Sequence, residues 1–110
     1  MQVIPDDPIN FIRRCIRERK IGWTYHVNMR MDQRFIPRET ILASVDSFEI
    51  VERYIGDKYL PSYLILARHE ALKFHIQIAV DVSGDNVRII TSYVPTIDKW
   101  EADLKTRRKQ

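Results

Sequence analysis

The chain has 110 residues, of which 45% are hydrophobic, with 3 Gly, 5 Pro and 1 Cys. That length fits a single domain, residues 1–110, and the composition excludes a disordered or low-complexity chain. No apolar run approaches the roughly 20 residues that span a bilayer, so we expect a cytoplasmic protein with no membrane partner. The lone Cys15 can form neither an internal disulfide nor a cysteine cage for zinc, and we place it in the core.

The formal net charge of +3 is weakly basic, and the charges are unevenly distributed. Residues 1–40 carry 8 basic and 5 acidic side chains, residues 41–98 carry 5 and 8, and residues 99–110 carry 5 and 2. Two basic ends therefore flank an acidic middle. They predict a surface for a polyanion only if the fold brings them together.

Three helices are predicted in the first half of the chain. The first, over residues 7–20, has Asp7 as its cap, Pro8 at its first position and Gly22 as its stop. Two shorter helices follow from the apolar spacing over residues 25–34 and 37–47. The buried stripe of the first helix repeats every three or four residues and comprises Ile9, Phe11, Ile12, Cys15 and Ile16.

After residue 48 the hydrophobic period changes to two, which is typical of β-strands. Short polar links favour antiparallel neighbours, and the four predicted strands cover residues 49–55, 62–68, 72–82 and 86–94. The second of these is apolar on both faces, which predicts a central position. In the third strand, alternate residues form an apolar face of Phe74, Ile76, Ile78 and Val80. The other face is formed by His75, Gln77, Ala79 and Asp81.

The segment from Thr96 to Gln110, anchored by Trp100, predicts a short amphipathic C-terminal helix. Residues 102–110 are its basic tail, and the end over residues 105–109 is expected to be frayed. The predicted fold class is therefore α+β, with N-terminal helices, a four-stranded antiparallel sheet and a short C-terminal helix.

A set of three cationic side chains is the most informative constellation. His26, Arg30 and Arg34 recur every four residues, so they project from nearly one face of the predicted second helix. Guanidinium groups offer forked donors to phosphate oxygens, and an imidazole exchanges protons near neutral pH. This spacing suits a phosphodiester site. A solvated helix face carrying incidental charges is the alternative, and spacing alone favours it.

Two residues of the predicted sheet are further candidates. His75 is either a general acid or base on the polar face or a hydrogen-bonded residue beneath a helix. Tyr93 ends the last strand, where its phenol either orients a ligand or packs with Trp100. Tyr54, Asp57 and Lys58 give a weaker signal for the same rim, and His69 belongs to an exposed turn. No glycine-rich phosphate loop and no metal-ligand spacing is found, so neither a cofactor nor a metal is expected.

The stretch His26-Val-Asn-Met-Arg30-Met-Asp-Gln-Arg34-Phe-Ile36 resembles the His-x-x-x-Arg-Met-x-x-Arg-x-Ile signature of a bacterial family of unknown function. That family is related to the RelE, BrnT and MqsR toxins. Residues 61–66, 74–81 and 90–95 with Trp100 add to the resemblance, which covers residues 24–101 and leaves the helix 7–20 outside. Pro37 departs from the pattern, because relatives carry a small hydroxyl residue there.

The resemblance implies a RelE-like fold and the toxin of a toxin–antitoxin pair, a metal-independent endoribonuclease. RNA and a cognate antitoxin would be its partners. By the same resemblance, His26, Arg30, Arg34, His75 and Tyr93 form the expected catalytic set. One alternative is a binding module for nucleic acid or protein that leaves RNA intact. Another is a homo-oligomeric protein, such as a homodimer joined through its N-terminal helix.

Overall fold

The first helix lies where the sequence predicts it but ends earlier. In the computed structural model, which describes residues 3–24, 36–56 and 59–109, helix α1 spans Pro8–Arg17 and is capped by the carboxylate of Asp7. Gly22 does not stop it. Arg19 adopts a left-handed conformation (φ 62°), and the amide of Lys20 donates to the carbonyl of Cys15 at 2.9 Å. This is a Schellman motif with arginine in the position that usually favours glycine.

Five strands form one mixed sheet, four of them from the second half of the chain. A three-residue strand, β1 (Ile21–Trp23), precedes helix α2 (Arg38–Ala43), and a 3₁₀ turn follows at Val45–Ser47. The four remaining strands are β2 (Glu49–Tyr54), β3 (Ser62–His69), β4 (Leu72–Asp81) and β5 (Asn86–Tyr93). Neighbouring strands follow the order β1-β5-β4-β3-β2 across the sheet.

The predicted fold class is therefore wrong in its architecture. The four antiparallel strands are present, but β1 adds a fifth that runs parallel to β5, so the sheet is not the four-stranded antiparallel one expected of a RelE-like fold. The predicted helix over residues 37–47 is divided into α2 and the 3₁₀ turn, because the amide of Ser47 bonds the carbonyl of Ser44. The predicted helix over residues 25–34 lies outside the described residues.

The tail contains no helix within its described part. Residues 94–109, here called the C-terminal strap, form turns in which Trp100 and Arg107 make an antiparallel bridge. The carboxylate of Asp103 accepts from the amides of Lys105 and Thr106, at 2.9 and 3.1 Å. Local side-chain bonds of this kind compete with the helix and favour a turn. The predicted C-terminal helix is wrong for this reason.

The hydrophobic core lies between the helices and one face of the sheet. Ile12, Cys15 and Ile16 of α1 are fully buried there, as the stripe predicts. The apolar face of β4 meets them, and β3 is buried on both faces, as expected for an interior strand. The strap lies on the opposite face, where Trp100 is 3% exposed. No helix of the described part is long and apolar enough to cross a membrane.

Candidate functional site

His75 lies beneath the strap rather than in an open cleft. It projects from β4 on the face opposite the core and is 0% exposed. Its Nε2 nitrogen lies 2.7 Å from the carbonyl oxygen of Leu104, and its ring packs edge-on against Trp100 with centroids 4.6 Å apart. The sequence left open whether His75 is an acid or base or a covered, hydrogen-bonded residue. This geometry favours the covered reading, although the cover is the strap and not a helix.

The hydrogen bonds fix the tautomer of His75. A carbonyl oxygen only accepts, so Nε2 carries the proton and Nδ1 is the acceptor of the neutral ring. The hydroxyl of Tyr93 lies 3.4 Å from Nδ1, where it donates a long hydrogen bond. Burial lowers the pKa of His75, and the bond to Leu104 opposes that shift only in part. His75 is therefore a neutral residue that holds Tyr93.

Tyr93 is the partly exposed member of this pair. It stands directly opposite His75 across the β4–β5 ladder, and the two rings meet at 5.5 Å in an edge-on arrangement. Burial raises the pKa of the Tyr93 phenol, which keeps it protonated near neutral pH. Since its proton points to His75, its oxygen presents lone pairs to a ligand. The phenol can therefore accept a hydrogen bond from a ligand hydroxyl.

An ion pair fastens the strap to the edge of the sheet. The guanidinium of Arg107 donates through Nε and Nη2 to the carboxylate of Glu52 on β2, at 2.7 and 3.1 Å. The same guanidinium lies 4.6 Å over the ring of Trp100. Its hydrogen bonds lower the pKa of Glu52, which also accepts from the hydroxyl of Tyr54. The predicted frayed tail is thus held at this point.

The acidic middle of the chain pairs with both basic ends. Asp85, in the turn before β5, accepts from Arg14 and Lys20 of the first segment, and these bonds lower its pKa to about 2. In the strap, Lys105 pairs with Glu49 at 3.1 Å, in addition to the Arg107 pair. Most of the described basic residues of the two ends thus serve intramolecular ion pairs. Whether the two basic ends together form a surface for a polyanion stays a prediction, because Arg30 and Arg34 lie outside the described residues.

The remaining predicted site residues divide into two groups. His26, Arg30 and Arg34 lie outside the described residues, as do Asp57 and Lys58, so their distances from His75 stay open. Tyr54 is described, and its hydroxyl binds Glu52 beside Arg107. Within the described residues, no group of three or more His, Cys, Asp or Glu side chains is arranged to hold a metal ion.

Sequence reasoning missed the residues that hold this site together. In the sequence, Glu52 is one polar residue of a predicted strand and Arg107 is one cation of a basic tail, so neither is distinguished from its neighbours. Leu104 supplies the acceptor for His75 through its main chain, so its side chain gives no signal. The available signal was Asp103 followed by Thr106, a pattern that favours a turn and brings the following arginine back toward the sheet.

A family model described as "Domain of unknown function (DUF4258)" matches residues 23–94. The chain belongs to this family. The match includes all five predicted site residues and excludes α1 and nearly all of the strap. No curated protein and no solved structure gives a match.

Proposed function

We propose that the protein is the toxin of a toxin–antitoxin pair, a metal-independent endoribonuclease that acts on single-stranded or ribosome-associated RNA. The signature His26, Arg30 and Arg34 supports this proposal, because its spacing and residue types suit a phosphodiester and resemble those of a family related to toxins. The relation to the RelE, BrnT and MqsR toxins rests on that signature and not on the architecture.

The single observation that carries the proposal is the hydrogen bond between the Tyr93 hydroxyl and Nδ1 of His75. It leaves a partly exposed phenolic oxygen in acceptor orientation, which suits the 2′-hydroxyl of a ribose. A buried histidine that fixes a tyrosine has the role of a positioning residue. His75 is therefore not assigned to direct proton transfer, which falls to His26.

In the proposed reaction the 2′-hydroxyl attacks the adjacent phosphorus, and the 5′-oxygen of the next nucleotide leaves. Tyr93 orients the attacking hydroxyl, His26 removes its proton, a contribution of about 10²–10⁴-fold, and a solvent water protonates the leaving 5′-oxygen. Arg30 and Arg34 stabilise the charge that develops on the phosphoryl oxygens. The products are a 2′,3′-cyclic phosphate and a free 5′-hydroxyl.

The test is RNA cleavage by the purified protein in EDTA. We expect His26→Ala and Arg30→Ala to lower the cleavage rate by about 10²-fold or more, whereas His69→Ala, at the end of β3, retains it. Equal cleavage by all four proteins would show that the assigned site is wrong. Growth arrest on expression, relieved by the product of the neighbouring gene, tests the toxin assignment separately.

The second candidate function is a nucleic-acid-binding module without catalysis. The complete burial of His75 favours it, because one of the two histidines expected to transfer protons is covered. This candidate predicts RNA binding that weakens steeply with salt and leaves the RNA intact. Intact RNA after prolonged incubation with wild-type protein, with binding retained, would favour it over the nuclease.

A further inference from the structure

A small pocket opens between the end of β5 and the strap. Its volume is about 240 Å³, and the described residues that line it include Tyr93, Thr96, Lys99, Trp100 and Arg107. The turn that begins at Thr96 forms one wall, because the carbonyl of Thr96 accepts from the amides of Lys99 and Trp100, both at 3.2 Å. Backbone hydrogen bonds therefore fix the shape of this wall of the pocket. Tyr93, at the end of β5, also lines the pocket.

The charge of the lining is positive. Its described residues include Lys99 and Arg107 and no carboxylate. Arg107 is held from the β2 side by Glu52 and stacked on Trp100, so it is preorganised but largely neutralised. Lys99 forms no ion pair within the described part of the chain, although Lys105 and Arg108 of the strap both do. Lys99 is therefore the strap cation available for a ligand at this pocket.

We propose that this pocket binds one phosphate group of single-stranded RNA. This inference rests on the proposed function and names the phosphate subsite of its substrate. Lys99 supplies the ammonium, Arg107 supplies a fixed guanidinium, and the hydroxyl of Thr96 supplies a neutral donor. A phosphate held there places a neighbouring ribose beside Tyr93, whose oxygen accepts from the 2′-hydroxyl.

The full chain is titrated with a fluorescein-labelled trinucleotide of RNA in EDTA, with anisotropy as the readout. Its 2′-hydroxyls are methylated except that of the 3′-terminal ribose, which has no adjacent 3′-phosphate to attack, so the probe keeps a donor for Tyr93 and cannot be cleaved. We expect Lys99→Gln to raise the dissociation constant about fivefold or more. It should also make the negative slope of the log association constant against log salt shallower by about 0.7. The matched control is Lys105→Gln, which removes the same charge from the same strap where Glu49 already neutralises it. We expect the control to stay within about twofold of wild type.

The outcomes separate the pocket from the reaction. If both substitutions weaken RNA binding equally, the effect is one of net charge alone, and the proposed phosphate subsite is overturned. Cleavage of unmodified RNA by wild type, together with wild-type affinity in Lys99→Gln, would overturn the subsite and leave the nuclease standing. Lys99-dependent binding without cleavage would support the subsite and contradict the nuclease. Binding of a phosphoserine peptide more tightly than the trinucleotide, or no RNA binding by wild type, would overturn the subsite.

Discussion

The Nε2 nitrogen of His75 donates a hydrogen bond to the carbonyl oxygen of Leu104 at 2.7 Å, and this contact joins β4 to the strap. Leu104 adopts a left-handed backbone conformation (φ 59°), which costs a leucine roughly 1–2 kcal/mol. The surrounding contacts must offset that cost: the turn at Asp103, the bridge between Trp100 and Arg107, and the ion pair with Glu52. The site is thus assembled by the strap as much as by the sheet.

His75→Ala should lower the free energy of unfolding by about 2–4 kcal/mol, because it leaves a cavity and removes the partner of the Leu104 carbonyl. Urea unfolding followed by circular dichroism measures this. His69→Ala is the control, since His69 is a partly exposed residue whose one ion-pair contact, with Glu70, is 3.9 Å long. A loss below about 0.5 kcal/mol for His75→Ala would contradict the structural role.

Stability should fall as the pH drops below the ordinary histidine pKa of 6.5. The folded-state pKa of His75 is lowered by burial, so below pH 6.5 the unfolded chain binds more protons than the folded one. The stabilising contribution is therefore complete above that pH and decreases toward the folded-state pKa. Unfolding free energies of wild type and His75→Gln are compared at about pH 7.5 and about pH 5.5. Parallel pH profiles for the two proteins would refute this linkage.

Glu52→Gln should loosen the strap without unfolding the sheet. It removes the charge that fixes Arg107, and we expect a loss of about 1 kcal/mol, since Arg107 is more than half exposed and water screens the pair. Hydrogen exchange of the amides of residues 101–108 should accelerate, while β3 and β4 stay protected. Glu49→Gln, which removes the partner of Lys105, is the control with the smaller expected effect. Unchanged exchange in the strap would show that the ion pair does not hold it.

Arg19→Gly should stabilise the protein by about 0.5–1 kcal/mol, because glycine adopts the left-handed conformation of this position without strain. The hydrogen bond that the Arg19 side chain makes to the carbonyl of Ile16 reduces the gain. Arg17→Gly, at the last residue of α1, should instead destabilise by about 1 kcal/mol, because glycine disfavours the helical backbone and the ion pair of Arg17 with Asp46 is lost. Thermal unfolding of both variants shows whether each substitution stabilises or destabilises the protein. A lower unfolding midpoint for Arg19→Gly than for wild type would contradict the assigned end of the helix.

The sequence predicts correctly those elements in which the hydrophobic pattern repeats over enough residues to be recognised. The stripe of α1 and the alternation of β4 each extend over at least eight residues, and both faces are where the pattern places them. Strand β1 has three residues, too few for any period, and its parallel pairing with Val87 and Arg88 depends on the tertiary fold. The sequence predicts the helix to stop at Gly22, because the left-handed conformation of Arg19 gives no sequence signal.

Of the candidate site, the sequence predicts only that His75 and Tyr93 lie on the same part of the sheet. The shared polar face of His75 and the end of the last strand point to His75 and Tyr93, and the two residues are in contact. Their roles were not predictable from the sequence. The groups that cover His75 are the ring of Trp100 and the carbonyl of Leu104, 25 and 29 residues further along the chain, and loop closure of that kind leaves no local pattern. His26, Arg30 and Arg34 stay predictions.

The central claim is that Tyr93, held by His75, takes part in metal-independent RNA cleavage. The most direct measurement is the single-turnover rate of RNA cleavage in EDTA for wild type, Tyr93→Phe and Tyr63→Phe. Tyr63 is the matched control, because its hydroxyl is buried and has no hydrogen-bond partner in the described structure. We predict a loss of at least about tenfold for Tyr93→Phe and a wild-type rate for Tyr63→Phe. A wild-type rate for Tyr93→Phe, or no cleavage by the wild-type protein, would contradict the claim.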